Sequence, residues 1–160
     1  MKKNNKTGFT LIELIMVMII LGILAAVAIP RYLETIQKSE VSAEDAVIDR
    51  ICVALENFAQ HKMLTEGRRY WPENPFDALE TVPQTYTENG NNADEDNEWT
   101  YVVDASDGQF TGYISHQRAD NSRYQWSYNK GINTGTDDDV TGTLYERSEL
   151  GTGGSSVLFK

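Results

Sequence analysis

The chain has 160 residues, a formal net charge of −10 and an isoelectric point near 4.6. That length supports one modest domain with an appendage rather than two full domains. The acidic balance excludes general affinity for nucleic-acid backbones, which takes concentrated Lys and Arg, and a single cysteine, Cys52, excludes an intramolecular disulfide.

The N-terminal segment is the most informative part. Lys2, Lys3 and Lys6 form a basic leader with no acid among them, and Leu14 to Ile29 is a run of 16 residues without a charge or strongly polar group. As a helix, Phe9 to Ile29 extends roughly 31 Å at about 1.5 Å per residue, enough to cross a bilayer. After the run Arg31 and Lys38 mix with Glu34 and Glu40. The positive-inside bias therefore predicts a cytoplasmic N-terminus and a translocated remainder.

Three plain readings compete for this stretch. A buried core helix would need a second layer that a chain of this size does not supply. A secretory signal is suggested by Ala26-Val27-Ala28, a small-x-small pattern, but Glu13 interrupts the hydrophobic region and Pro30 follows the cut almost at once. A simple membrane anchor also leaves Glu13 unexplained. A carboxylate inside an apolar helix costs about 2.5–3.5 kcal/mol on insertion scales, so it marks a functional position with a partner to be found. Cleavage between Gly8 and Phe9 would create that partner, an α-amino group four residues before Glu13 that could pair with it in the same chain or, in a packed bundle, with Glu13 of a neighbouring copy. It would also remove the three leader lysines and take the formal charge to about −13.

Gly8-Phe9-Thr10-Leu11-Ile12-Glu13 resembles the prepilin processing site of type IV pilins and of the pseudopilins of type II secretion. Gly22 and Pro30 also stand where that family has a helix glycine and a proline after the membrane stretch. The motif likeness covers about residues 1 to 35. It implies cleavage after Gly8 by a prepilin peptidase that also methylates the amine of Phe9, and assembly with like subunits on an inner-membrane platform driven by an ATPase. Thr10 and Glu13 are the expected assembly residues. Pro30 lacks an amide hydrogen and predicts a kink or loosened turn, with Gly22 as a second pliable point.

Beyond Pro30 the pattern becomes amphipathic. Leu33, Ile36, Ala43, Val47, Ile51, Leu55 and Phe58 recur at spacings of three, four or seven, with Glu44 and other charged residues assigned to the opposite surface. The helix is expected to run from Phe9 to about His61, with Gly67 as the stop. Cys52 adjoins the apolar face and reads as a packing residue; His61, near the helix end, has no assigned role.

Residues 68–98 read as an irregular connection broken by Pro72, Pro75 and Pro83, with Trp71 and Phe76 pinning it to the head. Asn89 to Glu98 is expected to be a solvated acidic loop. Three strands follow at Trp99–Val103, Gln109–His116 and Arg123–Tyr128, with weaker strand signals at 143–146 and 157–159. Asp107-Gly108 is a hairpin turn signal, and Gly112 marks a bulge or a close approach of the helix. Tyr101, Phe110, Tyr124, Trp126 and Tyr128 read as a sheet face packed on a helix rather than a ligand platform. Asp137-Asp138-Asp139 invites a calcium hypothesis, with Asp137 and Asp139 as ligands and Asp94 or Asp96 as outsiders. The spacing is not that of an EF-hand, so no metal site or cofactor is assigned.

These observations and the resemblance predict an α+β, pilin-like fold: a long N-terminal helix packed by its second half on a small antiparallel sheet. The expected divisions are a leader (1–8), a membrane or filament-core helix (9–30), its amphipathic continuation (31–66) and a head (67–160). The expected role is a non-enzymatic filament subunit, held first as a single-pass inner-membrane precursor and then in a cell-surface filament or a periplasmic pseudopilus. The length of the head favours a pilin over a pseudopilin. A membrane-anchored ligand-binding domain and a secreted hydrolase are the rivals from other classes; the second lacks a recognisable catalytic set.

Overall fold

The computed structural model describes residues 8–104, 111–131 and 141–150, and the backbone of 157–159. The sequence expectations at Asp107-Gly108, Phe110 and Asp137–Asp139 lie outside the described residues, as does the leader before Gly8. A 56-residue helix, α1 (Leu11–Glu66), comes first. A 3-10 turn (Pro75–Ala78) and seven strands follow: β1 (Tyr86–Thr87), β2 (Trp99–Val103), β3 (Gly112–Gln117), β4 (Arg123–Asn129), β5 (Thr143–Tyr145), β6 (Ser148–Glu149) and β7 (Val157–Phe159). The sheet order is β1-β2-β3-β4-β5-β7, and β6 also pairs with β4. All pairings are antiparallel except that of β1 with β2, so the sheet is mixed at one edge rather than wholly antiparallel.

The helix ends where glycine permits it. Gly67 adopts φ +75°, and its N–H bonds the Met63 carbonyl at 3.1 Å, the single-bond left-handed cap that frees the chain to turn. The last turn contains no basic residue of its own. Lys62, one turn earlier, instead binds Glu66 at 2.7 Å, and the Tyr70 hydroxyl donates to the same carboxylate from beyond the cap.

The chain divides into two compact units, one ending at Ala43 and the other beginning at Glu44. In the second unit the buried residues of α1 are Glu44, Ile48, Ile51, Leu55 and Ala59. This corrects the expected apolar stripe. Val47 and Phe58 are only half-buried, Ala43 is exposed, and Glu44, expected on the outer surface, is 1% exposed. Glu44 shares the i, i+4, i+7 progression of Ile48 and Ile51, and that geometry overrode its polarity.

Strand alternation sorts the sheet into two different faces. Cross-strand pairing places Trp99, Tyr101, Ile114, His116, Trp126 and Tyr128 on one side. The apolar members of this set join Ile48, Ile51, Leu55, Trp71, Phe76 and Leu144 in one core. The aromatic strands are thus a packed face, as the sequence predicts. The other side carries Thr100, Ser115, Gln125 and Ser127, which are also buried. The segment after β1 covers Thr100 and Ser115. Thr100 Oγ1 donates to the Asn91 carbonyl at 2.7 Å, Ala93 N–H donates to Ser115 Oγ at 3.2 Å, and Gln117 Nε2 donates to the Asp94 carbonyl.

The acidic loop is therefore less solvated than expected, because Ala93 and Glu98 are both buried. Burial opposes ionisation of Glu98. Hydrogen bonds to its carboxylate from Asp94 N–H, Thr87 and Glu95 N–H outweigh that cost and hold the carboxyl below its ordinary value. Trp71 and Phe76 do pin the connection, and Asn74 caps the 3-10 turn through Phe76 N–H at 3.0 Å. Tyr128, deep in the core, donates its hydroxyl to the Pro72 carbonyl at 2.8 Å.

Gly112 answers to a close approach, but of the sheet itself rather than the helix. A Cβ there would lie 2.2 Å from the Val102 carbonyl oxygen and 2.8 Å from Tyr101 Oη. Backbone cannot yield as a flexible side chain does, so Gly112→Ala is expected to cost about 1–3 kcal/mol by overpacking. Urea unfolding followed by tryptophan fluorescence should show a lower midpoint; an unchanged midpoint would refute the steric account.

Candidate functional site

Two groups of residues are candidates for function: the start of the N-terminal helix and the polar cluster buried beneath the sheet. In the helix, every residue from Leu11 to Ser39 is exposed. The side chains from Leu11 to Ile29 are nonetheless almost entirely apolar. α1 is long and apolar enough to cross a membrane, and none of its most apolar stretch is buried within the chain. Such a surface is stable only when lipid or another apolar surface replaces water.

The start of α1 accounts locally for both Thr10 and Glu13. Thr10 N–H donates to Glu13 Oε2 at 2.8 Å, and the Thr10 hydroxyl donates to the same oxygen at 2.7 Å. Glu13 N–H lies 3.4 Å from Thr10 Oγ1 in return. Threonine at the cap and glutamate three residues on form a capping box, which satisfies orphan donors of the first turn. Thus Glu13 already has an intrachain partner on one oxygen, while Oε1 takes no hydrogen bond among the described residues. The threonine signal, Thr-x-x-Glu before an apolar run, was present in the sequence.

Gly8 and Phe9 precede the helix, and Phe9 is 91% exposed. A Cβ at Gly8 or at Gly22 would meet nothing within 4 Å, so neither glycine is demanded by packing inside the chain. Pro30 lies within α1, which is assigned without a break on either side. Its missing N–H leaves the Ala26 carbonyl without the usual helical donor.

Sequence reasoning missed the second cluster. Glu44 accepts a two-pronged bond from Arg118, with Nε to Oε1 and Nη2 to Oε2 both at 2.6 Å. Arg147 Nη1 donates to Oε2 at 2.9 Å. Both guanidinium groups also approach the Tyr124 ring, at 3.9 Å and 5.5 Å from its centroid. His116 Nε2 is 3.7 Å from Oε1, its ring stacks on Trp99 at 4.1 Å, and Nδ1 lies 2.8 Å from the Glu98 carbonyl. Because a carbonyl only accepts, Nδ1 carries the hydrogen. The available signal was the helical spacing of Glu44 from Ile48 and Ile51; its arginine partners, 74 and 103 residues away, had none.

This cluster clamps the sheet to the helix and contains no nucleophile–base pair. Among the described residues no group of three or more His, Cys, Asp or Glu side chains converges as a metal site. Cys52 is half-buried against the core. Burial, with Asp49 nearby, pushes its thiol up to about 11, which suits packing better than nucleophilic chemistry. Removing one member of a buried, hydrogen-bonded ion pair strands the other charges, so Glu44→Ala is expected to destabilise the head by about 3–5 kcal/mol. Chemical denaturation of the purified protein measures this. A loss below about 1 kcal/mol, the scale of a surface pair, would contradict the clamp.

The description "prokaryotic N-terminal methylation motif" matches residues 3–29. Core protein G of the type II secretion system of Aeromonas hydrophila is 37% identical over 83 residues, covering 52% of this chain and 55% of that protein. The type IV major fimbrial protein FimA of Dichelobacter nodosus is 41% identical over 66 residues, 41% of each chain. Core protein G of Pseudomonas aeruginosa is 36% identical over 58 residues, 36% of this chain and 41% of that one. The chain spans about half the length of the curated relatives it matches. No solved structure matches it. The resemblance carried by Gly8 to Glu13 is thereby shown: the chain bears the methylation motif and is similar to type IV fimbrial proteins and to core protein G of type II secretion.

Proposed function

We propose that this protein is a structural, non-enzymatic subunit of an extracytoplasmic filament of the type IV pilus kind. The observation that carries this reading is the exposed apolar helix bearing Glu13, joined to the methylation motif. In a lone anchor the capping box engages only Oε2 of Glu13 and leaves Oε1 without a partner among the described residues of the membrane stretch, whereas a bundle of like helices supplies one. The apolar faces of neighbours replace lipid, and a cationic N-terminus on one helix meets a carboxylate on the next.

In this reading a prepilin peptidase in the membrane cuts between Gly8 and Phe9 and methylates the new amine, which keeps its charge. The precursor is held with its N-terminus in the cytoplasm, and an inner-membrane platform with an ATPase extracts it into the filament. The capping box leaves Glu13 Oε1 for the cation of a neighbour while Oε2 stays with Thr10. Gly22 and Pro30 supply the points at which the helix bends during packing. A second reading, a pseudopilin of a type II secretion system, is favoured by the likeness to core protein G.

Mass spectrometry of the N-terminal peptide from the native host tests the pathway. The expected species starts at N-methylated Phe9; a chain starting at Met1 or Ile29 would overturn the reading. Gly8→Val should leave uncleaved precursor in the membrane, and a mature N-terminus in that variant would remove the cleavage assignment. Glu13→Ala should be processed normally yet yield few filaments in a strain lacking the native subunit; undiminished filaments would exclude the proposed register role.

A further inference from the structure

The segment between β1 and β2 contains Asn89-Gly90, and both residues are exposed. Asn89 Oδ1 accepts the Asn91 N–H at 2.9 Å. That bond folds the side chain back along its own backbone and draws electron density away from the amide carbon. Gly90 has no side chain to shield its nitrogen, adopts φ +71°, and its N–H has no acceptor among the described residues.

Other asparagines among the described residues lack this combination. Asn74 precedes a proline, which has no N–H. The nitrogens that follow Asn92, Asn97, Asn121 and Asn129 are all engaged: Ala93 with Ser115 Oγ, Glu98 with the Glu95 carbonyl, Ser122 with Asp120 Oδ1, and Lys130 with Thr111 Oγ1. Asn129 is the closest internal control. Its Oδ1 accepts Gly131 N–H at 2.8 Å in the same kind of turn, yet the nitrogen its amide would need is held by Thr111 at 2.9 Å.

From this contrast we propose that Asn89 is a self-modifying site, at which the folded protein converts asparagine to aspartate or isoaspartate without an enzyme. Hydroxide removes the Gly90 amide proton, and the nitrogen attacks Asn89 Cγ. The new C–N bond closes a five-membered imide, the Cγ–Nδ2 bond breaks, and ammonia departs with a proton from water. Water then opens either C–N bond of the imide. No oxidant or reductant takes part, and the net change is loss of ammonia and gain of water. The product carries one more negative charge beside Glu88, on a chain already at −10.

The site sits where the fold tolerates the change. The adjoining anchors, the Asn91 carbonyl on Thr100 Oγ1 and Ala93 N–H on Ser115 Oγ, do not involve the Asn89 side chain. A long-lived copy of the protein would therefore accumulate surface charge with age while keeping its core. This inference is independent of the filament reading.

The test is incubation of the full-length protein, folded in detergent and unfolded in urea, at neutral and mildly alkaline pH. Peptide mass spectrometry with fragmentation then locates gains of one mass unit. The expected result is modification at Asn89 in the folded protein at a rate within a few-fold of the unfolded one, rising with hydroxide, while Asn129 is strongly suppressed by folding. Gly90→Ala should slow the reaction at Asn89 in both states. Protection of Asn89 by folding, or equal modification of Asn89 and Asn129 in the folded protein, would overturn the proposal.

Discussion

The head depends on one buried carboxylate. Glu44 enters from the helix, Arg118 from the end of β3 and Arg147 from the link between β5 and β6, so a single side chain ties three separate parts of the chain together. The choice of arginine follows from geometry: its planar fork matches both carboxylate oxygens at once and can still lie over the face of Tyr124. Burying such charges costs several kcal/mol per ion, which hydrogen bonds to every available oxygen must offset. Here both oxygens of Glu44 are satisfied, and Asp45, 3.8 Å from Arg147, balances part of the second positive charge. The result is a polar clamp with directional demands that apolar packing lacks. It sets where the helix stands on the sheet.

Around that clamp the sheet is asymmetric in chemistry and buried on both sides. The aromatic side meets α1 through Trp99, Tyr101, Trp126 and Tyr128; on the other side Thr100 and Ser115 are covered by the segment from Asn91 to Glu98. Hydroxyls such as Thr100 and Ser115 can be buried only with partners, and the covering backbone supplies them. Glu98 organises the cover by accepting the N–H groups of Asp94 and Glu95. A stretch dense in acids is in this way a structural lid on the sheet, although most of its carboxylates face water.

One helix serves two environments. Up to residue 39 its side chains are all exposed and, through Ile29, almost all apolar; from Glu44 onward a stripe one residue wide is buried and most of the rest is polar or half-buried, with Val53, Met63 and Leu64 as exposed apolar residues. The capping box at Thr10 and Glu13 lets the helix begin without an external partner, and the left-handed Gly67 ends it. Both ends are set by side-chain chemistry within a few residues, which is why they are legible locally.

The sequence by itself determined what depends on local pattern. The spanning apolar run, the processing-like hexapeptide with its buried-type carboxylate, the stop at Gly67 and the strands at Trp99 and Arg123 all follow from spacing, composition and turn chemistry. The short strands β1 and β6 were not legible, because two-residue pairings exist only through the neighbour that accepts them. Only the tertiary structure decided the partners of Glu44, the cover over Thr100 and Ser115, and the reason for glycine at 112. Each of these rests on groups brought together from distant positions, and a contact across 74 or 103 residues leaves no periodicity in the chain. Charge places Glu44 on the outer surface while its helical spacing from Ile48 and Ile51 points inward; only the packed sheet, with Arg118 and Arg147, decided between the two.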